Sequence, residues 1–553
     1  MATLHVANRD YTEWTFKNAT DMHSISPLTA RLFHNDTIDP SGQLISSPYR
    51  AKETICGVLL SSEKTYGRSN SGNKLLYKCV PDDPHLPCFL VPYEEKHLGF
   101  NKIRTDKYIT FKIKEWTGKH PQGLLTQTFG DVEDTEAYIA YQMTNKEINN
   151  SLKHLNAACL RSLREKTLGP IPRYCESQPI EDRCSLPIIS IDPAGCKDID
   201  DALGLRTLPN GDSILSIYIA NVPMMLEYLQ LWPHLTERVA TIYLPDAKYP
   251  MLSGALSENL CSLREKEDRV AFVMDITISS LVYVSNITYT SSIVRLEKNY
   301  AYQDSELIAR ADYKSILTIV KNLNAGHFAY LDDVATSHDV VEYCMLFMNH
   351  ECAKHLAQKK SGIYRTAVIK NTEQVPAVEV PAGLKHLIQN VAGEYCPYAQ
   401  LKPHELIGGG LACYLHITSP IRRVVDIVNM YEMLKDKFQW SAEAQRFMQT
   451  WQSKTEMINQ KTKAIRKLQN ETELLNVYKK NKEQNYIGFV FAPAERLING
   501  TVSYKYKVYI PATKLLTSVV SNKKLKDYTS VYFSAHLFLD ETKMTKKIRL
   551  QIV

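Results

Sequence analysis

Residues 191–202 read IDPAGCKDIDDA and hold four aspartates, Asp192, Asp198, Asp200 and Asp201, directly behind the apolar run LPIISI. No other stretch restricts the fold as much. An apolar run bounded by turn residues is expected to form a buried strand, so Asp192 emerges at or near a strand end. Pro193, Ala194 and Gly195 then turn the chain, and the other three carboxylates return towards the same place. Carboxylates a few ångströms apart cannot all stay ionised unless cations neutralise them; otherwise one is forced to keep its proton. The loop is therefore either a solvated acidic turn or a seat for hard divalent cations, Mg²⁺ with Mn²⁺ able to substitute. Apolar chain on both sides, LPIISI before and ALGL after, favours the second reading. A calcium loop of the EF-hand type is excluded. Counted from Asp198, its glycine and glutamate positions are Leu203 and Pro209. Acid clusters that hold two cations suit phosphoryl chemistry, where one activates water and the other stabilises the leaving oxygen. Lys197, inside the loop, is either a partner for a carboxylate or phosphate, or a plain surface lysine.

A second constellation, HITSPIRRVVDIV, occupies residues 416–428. Thr418 or Ser419 is expected to cap a helix, with Pro420 in its first turn. Arg422 and Arg423 then fall at the positive end of the helix dipole, where cations are unfavourable unless an anion joins them. A phosphate would remove the penalty; so would an ion pair with an acidic neighbour.

The rest of the chain organises itself around these two segments. Residues 1–45 are polar and weakly patterned. From about 50 to 170 short β-type runs (ICGVLLSS, KLLYKCV, CFLVPYE, YITFKIKEW) alternate with turn signals, the spacing of small barrels. From about 180, strands such as SILSIYIANV and RVAFVMDITI precede long amphipathic helices, and a β-rich tail begins near 485. The net charge of +6 is unevenly spread: residues 451–553 carry 19 Lys+Arg against 8 Asp+Glu, the footprint of a polyanion-binding region or of a well-solvated tail. Twelve cysteines form no CxxC, which speaks against a zinc ribbon or disulfide scaffold and for a reducing, cytoplasmic compartment. The N-terminus lacks a signal-peptide pattern, and no run approaches the roughly 18 apolar residues of a membrane span. No dinucleotide-binding pattern is expected to serve this chain.

Together these stretches resemble the RNB family, the RNase II and RNase R type exoribonucleases that include the catalytic subunit of the eukaryotic exosome. The aspartate loop has that family's I-D-P-x-x-x-K-D-x-D-D-A spacing. The segment YLPDAKYPMLSGALSENLCSLREKEDRVAF, 243–272, is similar to its S-E-N-L-C-S-L region, and LHITSPIRR, 415–423, to its H-x-T-S-P-I-R-R motif. The resemblance implies a multidomain α+β protein: an extension at 1–45, a reduced cold-shock-like barrel at 46–90, a second at 91–178, an RNB catalytic domain at 179–482 and an S1-like OB barrel at 483–553. It implies a 3′-to-5′ exoribonuclease that hydrolyses single-stranded RNA to nucleoside 5′-monophosphates by a two-metal mechanism using Mg²⁺. Asp192, Asp198, Asp200 and Asp201 then correspond to the family's metal-binding and catalytic aspartates, Arg422 to its phosphate-holding arginine, and Tyr302 to a tyrosine stacked on the 3′-terminal base. Arg423 joins them as an RNA-binding residue. Some positions depart from the pattern. Val424 stands where a tyrosine is usual, Met430-Tyr431 where a His-Arg pair is usual, and only Glu471 and Glu473 lie near the family's glutamate before the last barrel. The divergent flanks suggest a fast-evolving lineage, with a host cytoplasm as the compartment if it is viral. Two rivals remain open: a catalytically silent RNA-binding protein on the same scaffold, and a nuclease acting on DNA.

Overall fold

The short alternating runs at the N-terminus become strands, as their period requires, but not in the expected grouping. A computed structural model describes residues 1–553 apart from 19–24, 70–73, 95–103, 166–178, 280–282, 327, 370–383, 385–392, 481–484, 499–500, 513–514 and 541–544. The chain forms two units, Met1–Asn149 with Asn470–Val553, and Asn150–Gln469.

Residues 1–45 are no mere extension. Strands β1 (Ala2–Val6), β2 (Trp14–Lys17), β3 (Thr37–Ile38) and β4 (Leu44–Ser46) make a sheet in the order β2-β1-β3-β4. Ala2, Leu4 and Val6 are buried and join one core with barrel residues such as Phe89 and Phe111. Next, β5 (Ile55–Leu59), β6 (Leu75–Pro81), β7 (Phe89–Tyr93), β8 (Lys107–Glu115) and β9 (Gln122–Asp131) close into a single barrel, β5-β6-β7-β9-β8. The expectation of two barrels divided at residue 90 is thereby corrected. β7 straddles that boundary, pairing antiparallel with β6 and parallel with β9, while β8 closes onto β5. Among the described residues every strand from 55 to 131 belongs to one five-stranded ring of OB type. Helices α1 (Thr135–Asn145) and α2 (Lys153–Glu165) then occupy the span assigned to the end of a second barrel.

The second unit is built on a seven-stranded sheet of β10 (Ile180–Asp182), β11 (Ile188–Asp192), β12 (Asp201–Thr207), β13 (Ser213–Ala220), β16 (Asp268–Ile278), β17 (Val284–Arg295) and β18 (Lys298–Ala301). Helix α3 (Val222–Tyr228) and the hairpin β14 (Ile242–Tyr243)–β15 (Lys248–Tyr249) interrupt the strand order. The sheet runs β10-β17-β16-β13-β12-β11-β18. Only β10/β17 and β11/β18 pair in parallel. After α4 (Ser305–Ala309) and α5 (Ala311–Ala325), helix α6 (Ser337–Gln358) packs Val340, Cys344, Phe347 and Met348 into the core that holds Ile189, Ile191 and Leu203. α6 begins at a capping box in which Thr336 and Asp339 satisfy each other's backbone N–H groups.

The short pair β19 (Ile363–Thr366) and β20 (Glu394–Pro397) leads to α7 (Val424–Leu434), α8 (Ala442–Ser453) and α9 (Thr455–Lys480). The expected helix start is corrected here. Arg423, in extended conformation, is the N-cap of α7, and neither Thr418 nor Ser419 serves. Pro420 and Ile421 lie in a turn before it, closed by Arg423 N–H donating to the Ser419 carbonyl at 3.0 Å. The tail forms β21 (Tyr486–Ile498), β22 (Thr501–Ile510), β23 (Leu515–Ser521), β24 (Ser530–Asp540) and β25 (Thr545–Ile552), in the order β23-β22-β21-β24-β25. That is the strand order of the first barrel cut open between its third and fifth strands, consistent with an OB-like flank. Among the described residues no helix is long and apolar enough to cross a membrane.

Candidate active site

Asp192 is the last residue of β11. Its neighbour β18 runs parallel, so Tyr302 leaves the sheet beside it, donating its N–H to the Asp192 carbonyl at 3.0 Å. A turn follows, with Cys196 N–H bonded to the Pro193 carbonyl at 3.1 Å and Gly195 at φ +80°, a conformation that favours glycine. The chain re-enters the sheet at Asp201, the first residue of β12. Between them the loop is pinned from the SENLCSL stretch: Ile199 N–H donates to Ser262 Oγ at 3.0 Å, and Ser262 Oγ donates to the Lys197 carbonyl at 2.8 Å. Leu263 N–H reaches the Ile199 carbonyl at 3.0 Å.

The two motifs meet at Asp200. Its Oδ1 accepts the Ile421 N–H at 2.9 Å, across 221 residues of sequence, and its Oδ2 accepts Arg422 Nε at 3.1 Å. Asp200 is 3% exposed, whereas the Arg422 side chain is 46% exposed. The arginine thus holds the aspartate through Nε and donates to Ser419 Oγ through Nη2 at 3.0 Å, while close to half of its side chain stays exposed. Asp192, Asp198, Asp200, Asp201, Tyr302 and Arg422 all line one cavity of about 450 Å³. Tyr243, His338, Glu342 and Met345 line it as well.

Burial dominates the electrostatics of this cavity. Desolvation raises the Asp192 carboxyl to about 6 despite help from the Ser190 hydroxyl and Arg422, with Asp198 adding to the rise. It raises Asp200 to about 7 against the pull of Arg422 and the Ile421 N–H. Asp201 is pushed well above the usual carboxylate range by burial, then by Asp192 and Asp200. Tyr302, near Asp201 and Asp192, is raised to about 12, chiefly by burial. Protein alone leaves this negative charge under-compensated. Asp192 Oδ2 is buried without a hydrogen-bond partner, and Asp198 is met by the Lys248 ammonium at 2.6 Å and the Tyr243 hydroxyl at 3.3 Å. An orphaned carboxylate oxygen beside proton-hungry carboxyls fits the donor set of a hard divalent cation. Asp200 differs from Asp192 in that both its oxygens accept from protein donors, the Ile421 N–H and Arg422 Nε.

Two sequence candidates lie elsewhere. Arg423 pairs with Asp426 at 2.8 Å and does not line the cavity. Lys197 is exposed and is not among the lining residues. Glu471 and Glu473 belong to the other unit. Sequence reading missed Tyr243 and Lys248, although both stand in the quoted YLPDAKYP segment. It also missed His338 and Glu342, one turn apart on α6 and so on one face. His338, Asp339 and Glu342 bring donor atoms within 4.8 Å of one another on an exposed surface, but Asp339 is already committed to capping α6.

Comparison with known proteins bears on this arrangement. The pattern of the RNB domain matches residues 180–328, the sheet and aspartate loop. The exosome complex exonuclease RRP44 homolog A of Arabidopsis thaliana is 26% identical over 342 residues, 58% of this chain and 35% of that protein. The chain thus spans about a third of that relative's length. The RNase R of Mycoplasma genitalium has the same fold over 100% of both chains, with a TM-score of 0.68 and 16% identity. It has been solved free, with ribose methylated single-stranded RNA and with double-stranded RNA. Yeast Ssd1, a pseudonuclease, shares the fold over 88% of this chain and 68% of its own, with a TM-score of 0.59 and 14% identity.

Proposed function

We propose that this chain, which belongs to the RNB family, hydrolyses single-stranded RNA from the 3′ end to nucleoside 5′-monophosphates, using two divalent cations, Mg²⁺ in the first place. One observation carries the reading: four aspartates of one loop and an arginine 222 residues away converge on a single cavity in which a buried carboxylate oxygen has no partner. Asp192, Asp198 and Asp201 would hold the cations, which when bound polarise the phosphate and activate water. Asp200 fixes Arg422. The guanidinium, with Nη2 also donating to Ser419 Oγ, would grip a phosphate with its remaining N–H groups by charge-assisted hydrogen bonds. Tyr302, placed beside Asp192 and half-buried, offers its ring to the terminal base, a contact worth about 1–3 kcal/mol. Arg423 acts at one remove, through Asp426 and the turn that carries Arg422. RRP44 and RNase R relatives support RNA as the substrate class.

The test is a time course with 5′-labelled linear RNA, linear DNA and circular RNA of equal length, with Mg²⁺ and with EDTA. Loss of linear RNA alone, only with Mg²⁺, is expected. Cleavage of the circle would overturn the exonuclease reading. Tight RNA binding with no cleavage in any condition would favour a silent RNA-binding protein; yeast Ssd1, which shares this fold, is a pseudonuclease.

A further inference from the structure

The Lys248 ammonium sits 2.6 Å from Asp198 Oδ1, with Glu258 at 3.9 Å and the Tyr243 ring centroid at 5.9 Å. Its side chain is 29% exposed and that of Asp198 only 8%. β15 brings it there: the two-residue strands of the hairpin pair Tyr243 with Lys248, so both side-chain heads reach the rim over Asp198. A primary ammonium at this distance from a nearly buried carboxylate occupies the place an oxygen-seeking cation would take, and it neutralises one unit of the same charge. Asp192 has no such competitor, since its Oδ2 is buried and unpaired, and Asp201 accepts no hydrogen bond from protein among the described residues. The two ends of the cluster are therefore unequal before any cation arrives.

We propose that Lys248 is a built-in competitor for the cation position at Asp198. Asp192 and Asp201 load a divalent cation first, and the second enters only by displacing the Lys248 ammonium. Lys248 is then a positioning residue that sets the order and strength of loading. Glu258, 40% exposed and 3.9 Å from the ammonium, provides a resting place once it is displaced. The consequence is a second cation bound more weakly than the first, with an affinity that depends on the charge at position 248 rather than on its packing. This inference rests on the divalent-cation reading of the aspartate cluster.

The experiment is a Mn²⁺ titration of the RNA-free protein followed by calorimetry and by electron paramagnetic resonance of free Mn²⁺, which needs no turnover. Three chains are compared: wild type, Lys248→Met, which keeps the aliphatic stem, and Lys248→Arg, which keeps the charge. Wild type is expected to bind one Mn²⁺ tightly and a second weakly. Lys248→Met should tighten the second about tenfold and leave the first within about twofold, whereas Lys248→Arg should resemble wild type. Superimposable isotherms for all three, or a weaker second site in Lys248→Met, would overturn the role of Lys248 while leaving the cation site standing. Absence of Mn²⁺ binding in all three would bring down the cation reading and this inference with it.

Discussion

Asp200, which the sequence groups with the candidate metal ligands, is tied in the structure to donors of the protein itself. Both of its oxygens are occupied, by the Ile421 N–H and Arg422 Nε, donors that come from the PIRR turn. Asp200→Asn keeps an acceptor for Ile421 but turns an NH₂ donor towards a guanidinium donor. Turnover is expected to vanish while RNA affinity stays within a few-fold, and stability should fall by about 1–3 kcal/mol. Paired turnover, RNA-binding and urea-unfolding measurements check this, and near wild-type turnover would remove Asp200 from the machinery. His404 makes a different residue-level case. Its Nδ1 is buried without a partner, its ring lies 5.0 Å from that of Tyr414, and burial, with Arg365 nearby, brings its pKa down to about 4. An unfolded histidine titrates near 6.5, so between those values the unfolded chain binds the extra proton. Stability is thus present above pH 6.5 and lost as pH falls towards 4, by roughly 3 kcal/mol from this group. Urea midpoints taken from pH 7 to pH 4.5 should fall, and should fall less steeply in His404→Gln.

The elements of the unit Asn150–Gln469 matter for where they begin and end. β11 stops at Asp192 and β12 starts at Asp201, so the aspartates are placed by strand termini and the loop between them is held by Ser262. α7 plays the matching part on the other side. Asp426, in its first turn and 0% exposed, accepts the Ser419 N–H at 2.7 Å and Arg423 Nη2 at 2.8 Å with the same oxygen. This clamp ties the helix to the turn that delivers Ile421 and Arg422. Asp426→Ala leaves those donors without their acceptor, so a loss of about 2–4 kcal/mol is expected. Turnover should drop further than RNA binding, because the arginine would lose its fixed angle. Unchanged turnover in a variant that unfolds at lower urea would mean that the clamp serves stability alone.

For the molecule taken whole, charge is the property that divides its ends. The basic excess of residues 451–553 predicts that deleting 485–553 weakens RNA binding and flattens its salt dependence, since each phosphate contact adds a slope of about 0.7 in log K against log salt for a single strand. A truncated chain with the parent's slope would show that the tail's lysines meet water, not RNA. Much of the site was legible in the chain itself. A buried run ending in four aspartates fixes a strand end and a demand for positive charge, because strand period and carboxylate repulsion are local and need no knowledge of the rest. The same holds for the PIRR turn as a carrier of arginines. Only tertiary structure decided the rest. Which arginine enters the cavity depends on the direction of α7, and Arg422 and Arg423, adjacent in sequence, diverge because Asp426 captures one of them. Whether 46–178 makes one barrel or two depends on strand pairing across residue 90, a non-local choice that alternation of apolar residues does not encode. Lys248 meets Asp198 through a hairpin of two short strands farther along the chain. Local sequence sets what each segment offers; long-range packing sets which offers meet.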